Sequence, residues 1–256
     1  MNAILPVSNL TPQHPSQALL QQPLLPKRLL SGYRAFIEGR HAQERQRYRD
    51  LAQDGQSPEI MMIACCDSRA APEMIFDAGP GELFVVRNVA NLMPPYAPDD
   101  HYHSTSAALE FAVQILKVRH IVVLGHGRCG GIKAALDPSA GPFSPGDFIG
   151  KWMSLLGPAA AKINSAEFLT PSERQTALER ASIRGSLENL RTFPCVSILE
   201  GKGRLALHGA WFDIETGELW AMNSKSGDFV RPDLENQDLE TRDLETRAEA
   251  AEGKSR

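Results

Sequence analysis

Two short stretches hold the residue types that do chemistry: Cys65-Cys66-Asp67-Ser68-Arg69, and Gly125-His126-Gly127-Arg128-Cys129-Gly130-Gly131. Thiolate and imidazole are ordinary zinc ligands, and a zinc site that acts on a substrate takes three protein ligands and leaves a fourth position open. His126 and Cys129 offer two ligands, which alone make no site, and Cys65 offers a third. In such a Cys2His set the two thiolates cancel the charge of the ion, which then acidifies water less than one held by three neutral imidazoles. A neighbour that orients bound hydroxide matters more in that case. Asp67 can accept the hydroxide's hydrogen bond, and Arg69 can keep Asp67 ionised through a charge-assisted fork. An ionised carboxylate only accepts, so it turns the oxygen's lone pair towards an electrophile.

Each of these residues also has an ordinary reading. A cysteine after a buried strand is a small core residue, a loop histidine is polar surface, and an Asp-x-Arg pair is a helix cap or surface ion pair. Their joint placement at two strand ends, with glycines clearing the space, sets them apart. A sharper rival is Gly125-His126-Gly127-Arg128-Cys129-Gly130, which matches the GxGxxG of dinucleotide-binding loops between a strand and a helix. Against it, the acid that should close the next strand is missing, since Asp137 and Asp147 lie in or beside a Pro/Gly loop. The motif also follows two earlier strands instead of opening the sheet.

The elements that must position these residues read as follows. Ile121-Val122-Val123-Leu124 is a buried strand, with a glycine turn after it that carries His126 and Cys129 and a helix from Ile132 to Leu136. Ile60-Met61-Met62-Ile63-Ala64 is a second buried strand, ending at Cys65. Pro72 starts a short helix to Phe76, and Leu83 to Val89 is a third strand. After a loop over 92–105 rich in Pro, Asp and His, Ser104 or Ser106 caps a helix to about Val118. This alternation predicts an α/β fold: a central, mainly parallel sheet flanked by helices. Loops at the carboxyl ends of such strands share one sheet edge, so Cys65 and His126 can meet there. Asp147 to Ile163 and Pro171 to Leu190 are two further helices, and Leu205 to Ile214 with Leu219 to Met222 makes a C-terminal hairpin. From Leu29 to Leu51 an amphipathic helical arm places Leu29, Leu30, Tyr33, Phe36 and Ile37 on one face. The division is thus a proline-rich arm over 1–27, a catalytic domain over 28–230, and a polar, disordered tail over 231–256 that repeats DLETR.

Composition excludes several classes. A net charge of −4 gives no electrostatic case for nucleic acid. No run of 18 apolar residues exists, so no membrane span is expected. The first 37 residues lack acids but hold only Lys27, Arg28 and Arg34 as basic residues, a weak case for an organelle address. Four cysteines, Cys65, Cys66, Cys129 and Cys195, are too sparse for a disulfide framework and fit a reduced, cytoplasmic protein.

With Cys65-x-Asp67-Ser68-Arg69, Gly125-His126-x-x-Cys129-Gly130-Gly131, and the block Gly81 to Asn91 (GELFVVRNVAN) in this order, the chain resembles a β-class carbonic anhydrase over residues 28 to 225. The resemblance implies one Zn2+ per chain on Cys65, His126 and Cys129, with Asp67 and Arg69 as the catalytic pair. It implies reversible hydration of carbon dioxide to bicarbonate and a proton by attack of zinc-bound hydroxide. It also implies homodimers or higher homo-oligomers, with N-terminal helices reaching across to the partner. The match is to the plant-like branch, in which a glutamine nine residues before the first zinc cysteine binds substrate; Gln56 stands there. Phe84, Val89 and Phe111 can form an apolar wall beside Gly130. Met62 replaces the tryptophan of the allosteric branch, so no bicarbonate regulatory site is expected and Asp67 should stay off the metal. Cys66 replaces the usual serine and reads as inert; Phe111 stands where tyrosine is common; Ala70 replaces a common valine. The proton shuttle is unassigned, with His101 and His103 as candidates on a polar loop. Hydrolysis of carbon disulfide or carbonyl sulfide on the same site is an alternative, as is a non-catalytic zinc module, which would have no use for the Asp67–Arg69 pair.

Overall fold

The computed structural model describes residues 24–137 and 147–234. Most of the proline-rich arm, nearly all of the DLETR tail and the 138–146 loop lie outside them. The described residues form two compact units that divide between Gly55 and Gln56.

The first unit is helical but not one helix. α1 (Lys27–Glu38), α2 (Arg40–Gln43) and α3 (Arg45–Asp54) replace the single amphipathic helix expected from Leu29 to Leu51. The break falls at Gly39, whose backbone (φ −104°, ψ −101°) leaves the helical region. Glycine also costs the most in a helix interior. The rings of Phe36, His41 and Tyr48 gather across the break, with centroids 5.0–5.9 Å apart. Leu29, Leu30, Tyr33 and Ile37 remain exposed.

The second unit is the expected α/β layer structure. β1 (Ile60–Cys65), β2 (Leu83–Asn88), β3 (His120–His126) and β4 (Ala206–Phe212) are parallel, in the order β2-β1-β3-β4. β5 (Leu219–Met222) and β6 (Phe229–Val230) extend the sheet antiparallel. β6 lacked a sequence signal because it is only two residues long. α4 (Pro72–Ile75) links β1 to β2. α5 (Ser104–Glu110) starts with His103 at its cap and no capping side chain, so neither Ser104 nor Ser106 caps it. It continues as a π-helical turn over Phe111–Leu116 and stops at Lys117 in the left-handed region. α6 (Gly130–Leu136) follows β3. The expected 147–163 helix is broken into α7 (Phe148–Met153), a short 3-10 turn and α8 (Gly157–Asn164). α9 (Pro171–Arg191) matches its expected start and end within a residue, because a Thr170/Glu173 capping box and Pro171 mark its beginning. α10 (Pro194–Gly201) was not anticipated. Among the described residues no helix is long and apolar enough to cross a membrane.

β1 connects outward to β2 and β3 connects the other way to β4, so the order reverses between β1 and β3. A crevice opens at the carboxyl ends of strands at such a point. α9 sets how tightly the sheet is covered behind it, burying Leu178, Ile183, Leu187 and Leu190. Ile183 lies over two glycines on neighbouring strands. A Cβ at Gly125 would stand 2.8 Å from Ile183 Cδ1, and one at Gly209 2.8 Å from Ile183 Cγ2. Gly125→Ala should therefore destabilise the fold by about 1–3 kcal/mol. Adding Ile183→Val, which removes the clashing Cδ1, should recover part of that loss, as read from urea unfolding midpoints.

Candidate metal centre

The crevice brings together the three sulfur and nitrogen donors. Cys65 is the last residue of β1. His126 is the last residue of β3, one step earlier than the loop position expected for it, because β3 pairs with β4 as far as His126↔Phe212. Cys129 caps α6. β1 and β3 are hydrogen-bonded neighbours in register from Ile60↔His120 to Ala64↔Leu124, so both carboxyl ends finish side by side. The donor atoms of Cys65, His126 and Cys129 all lie within 4.8 Å of one another, and all three residues are buried.

Two features fit a tetrahedral dication. The Sγ atoms are 3.9 Å apart, close to the ~3.8 Å separating two sulfurs each ~2.3 Å from a tetrahedral zinc ion. His126 Nδ1 lies 2.9 Å from the carbonyl of Gly127, which can only accept, so Nδ1 carries the proton. The lone pair is then on Nε2, a buried atom with no hydrogen-bond partner. A buried polar atom left this way costs about 1–3 kcal/mol, and a metal ion would satisfy it. The thiols are electrically frustrated without a cation. Cys65 is drawn well below the ordinary thiol range, first by its hydrogen bond with Cys129 and, against the opposing effect of burial, by His126. Cys129 is pushed up, first by Cys65 and then by burial. One negative charge is thus accommodated, and a second needs a positive ion.

Asp67 and Arg69 stand at the mouth. Arg69 grips the carboxylate through Nε to Oδ1 (2.9 Å) and Nη2 to Oδ2 (2.7 Å), and its backbone N–H donates to Oδ1 (3.0 Å). The Arg69 side chain holds the Asp67 carboxyl well below the usual carboxylate range, opposed by burial and helped by the Arg69 amide and His126. Asp67 Oδ2 lies 3.9 Å from His126 Nε2. The carboxylate is not one of the three clustered donors.

The residues that hold this frame were not singled out from the sequence. Arg87 on β2 donates to the carbonyls of Cys65 (2.8 Å) and Asp67 (2.7 Å), fixing the loop after β1. Glu179 on α9 is 2% exposed. It accepts from the Cys129 amide (3.0 Å) and from Trp211 Nε1 (3.1 Å), while Gln175 donates to the Cys129 carbonyl. The available signal was an acid between Leu178 and Ile183, on the apolar face of an amphipathic helix. Gly127 N–H is taken by the Phe212 carbonyl and Cys129 N–H by Glu179, so the GxGxxG turn offers an anion an acid and spent donors.

The expected substrate wall is only partly present in one chain. Val89 lies close by: a Cβ at Gly131 would stand 2.8 Å from Val89 Cγ1. Gly130 faces open space. Phe84 packs on Phe111 with centroids 5.8 Å apart, and Phe84 pairs with Met61, four residues before Cys65, about 13 Å up the strand. Gln56 is exposed and precedes β1, at the opposite end of that strand from Cys65. Cys66 is an exposed free thiol. His101 and His103 both pair with Asp99 on the loop before α5, at 3.2 Å and 2.6 Å.

Residues 60–219 match the sequence model of a family described as carbonic anhydrase. A carbonic anhydrase of Pseudomonas aeruginosa is 36% identical over 202 residues, covering 79% of this chain and 90% of that one. β carbonic anhydrase 3 of Arabidopsis thaliana is 34% identical over 205 residues, 78% of each chain. Among solved structures, the β-carbonic anhydrase CcaA superposes with a TM-score of 0.72 at 30% identity, over 81% of this chain and 92% of that one. One of two tetrameric β-carbonic anhydrases from the ascomycete Sordaria macrospora gives 0.66 at 28% identity, over 79% and 97%.

Glu179 offers two acceptor oxygens to two donors, and a glutamine offers only one. Glu179→Gln should therefore set an amide N–H against a donor and cost about 1–3 kcal/mol, seen as a lower unfolding midpoint.

Proposed function

We propose a function on one premise: the chain belongs to the carbonic anhydrase family, in its β class. It is a carbonic anhydrase, and the reaction is the reversible hydration of carbon dioxide to bicarbonate and a proton. The observation that carries the site assignment is the buried meeting of Cys65, His126 and Cys129, with His126 Nε2 unpartnered, beside the ionised Asp67–Arg69 pair. Those three residues would hold one Zn2+ ion. Bound there, zinc supplies the Lewis acidity that makes water a nucleophile near neutral pH.

The remaining work falls to side chains. Asp67 is ionised and accepts only, so it holds the proton of the attacking oxygen and turns the lone pair to the carbon of carbon dioxide. Arg69 occupies both Asp67 oxygens and fixes their direction. Val89 and the open side of Gly130 receive the small apolar substrate. Gln56, Phe84 and Phe111 complete the pocket from a second copy of the chain. Supporting this is their separation from the cluster within one chain, the exposure of Gln56 and Phe111, and the tetrameric state of the Sordaria relatives. The reaction releases one proton per carbon dioxide hydrated, which passes to buffer. The four free cysteines fit a reducing, cytoplasmic setting, and Met62 in place of tryptophan fits the plant-like, non-allosteric branch.

Stopped-flow carbon dioxide hydration, with zinc measured on the same sample, tests this directly. We expect about one zinc per chain and fast turnover; one zinc without turnover would refute the reaction, and folded protein without zinc would refute the site. Asp67→Ala should lower kcat about a hundredfold or more while keeping the metal. Cys129→Ser should lose metal and turnover together. A crystal structure of the zinc form near neutral pH should show Asp67 on Arg69 and off the metal.

A further inference from the structure

Arg69 leans on two acceptors. One is the Asp67 carboxylate, and the other is the carbonyl of Arg128, 3.2 Å from Nη2. The Arg69 side chain is about half exposed, and among the described residues these two groups are the acceptors it donates to. The direction of the Arg128 carbonyl is therefore part of what aims the Asp67–Arg69 pair.

That direction is not one the backbone adopts freely. Arg128 has φ 57°, in the left-handed region, which costs an L-residue about 1–2 kcal/mol. Something must hold the residue there, and its side chain shows what does. Nη1 pairs with Asp213 Oδ1 at 3.2 Å, and Nη2 pairs with Glu215 Oε2. Both acids lie on the turn between β4 and β5. That turn is stiff. Asp213 Oδ1 also accepts from the Glu215 amide (2.9 Å), Asp213 N–H donates to Glu218 (2.9 Å), and Gly217 N–H donates to Asp213 (2.8 Å). Just before it, the Phe212 carbonyl takes Gly127 N–H at 2.8 Å, joining the turn to the residue before Arg128. A line of contacts thus runs from the hairpin acids to the Arg128 guanidinium, and from the Arg128 carbonyl through Arg69 to Asp67.

We infer that Arg128, clamped by Asp213 and Glu215, is a positioning residue that aims Arg69 and through it Asp67. The clamp acts in two ways. It stabilises the left-handed backbone that presents the Arg128 carbonyl, and it ties the loop after β3 to a rigid hairpin. The inference rests on the reading of Asp67 and Arg69 as the catalytic pair.

The test compares Arg128→Ala in two backgrounds, using zinc-loaded full-length protein and stopped-flow measurement of kcat and KM separately. In the otherwise native chain, Arg128→Ala should lower kcat about 3- to 10-fold while leaving KM within about twofold, the size expected for one coupled contact. Zinc content should be unchanged. The pair Asp213→Asn with Glu215→Gln, which keeps the shapes of the side chains, should give a similar loss. Arg128→Lys, which keeps the charge, should recover part of it. In an Arg69→Ala background, Arg128→Ala should change kcat less than about twofold, because the residue it aims is gone. An equal fold-loss in both backgrounds would show action by another route and overturn the inference. Native kcat in Arg128→Ala, or a loss traced wholly to missing zinc, would overturn it as well. If Arg69→Ala alone kept near-native turnover, the catalytic-pair reading would be the one that fails.

Discussion

Everything else in the structure answers to one constraint: two sulfurs and an imidazole nitrogen are buried together with too few hydrogen-bond donors among them. Burying anionic sulfur is expensive, and the two thiols already compete for one charge across 3.9 Å. His126 Nε2 adds a buried nitrogen that no well-formed hydrogen bond satisfies among the described residues. Polar groups are tolerated in an interior only when paired, and a divalent cation answers all three at once. The surroundings fit that solution. Glu179 takes the Cys129 amide, Gln175 its carbonyl, Gly127 the outer imidazole nitrogen, and Arg87 the Cys65 carbonyl. The peptide groups around the three side chains are therefore committed, and they hold the sulfurs and the imidazole facing one another.

The parallel sheet makes this possible because its strand order reverses between β1 and β3. Crossovers leave in opposite directions there, which opens a crevice beyond Cys65 and His126. α9 closes the site from behind, and its depth matters. Ile183 reaches the backbone of β3 and β4 because Gly125 and Gly209 lack a Cβ. One turn earlier on the same helix, Glu179 is thereby brought to the Cys129 amide. A larger residue at either glycine would lift the helix and the acid with it, so packing and site geometry are one variable.

Much of this was legible in the sequence, and the rest was hidden for identifiable reasons. The apolar runs before Cys65 and Gly125 marked buried strands, and the alternation with helices marked their parallel order, so the meeting of Cys65 with His126 and Cys129 could be anticipated. The start of α9 at Pro171 was read to the residue, and its end at Leu190 to within one. Breaks at Gly39 and around Ser154–Leu156 interrupt patterns that read as continuous, since periodicity reports which face is apolar and not whether the backbone stays helical. α10 and β6 are short and their signals weak. Glu179 and Arg87 act through backbone groups from distant positions, and no local spacing announces a partner 50 or 22 residues away. The end of β3 was misjudged by the glycine at 125, which reads as a turn but serves a close helix contact within the strand.

The split of the proposed substrate wall follows from strand geometry. A residue at the start of β2 cannot reach past the carboxyl end of β1, because about 13 Å of sheet lies between them, and Phe84 is held there by its pairing with Met61. Gln56 is further still, since β1 itself separates it from Cys65. Val89 and Gly130, by contrast, follow the ends of their strands and belong to the crevice directly. A pocket that uses all five residues cannot be built by one chain with this register. Either the wall is formed by Val89 and its neighbours alone, or assembly brings the far end of one sheet against the near end of another. The second arrangement makes turnover depend on association, because dilution into single chains would leave the Cys65–His126–Cys129 cluster and the Asp67–Arg69 pair intact while removing the surface proposed to hold carbon dioxide against them.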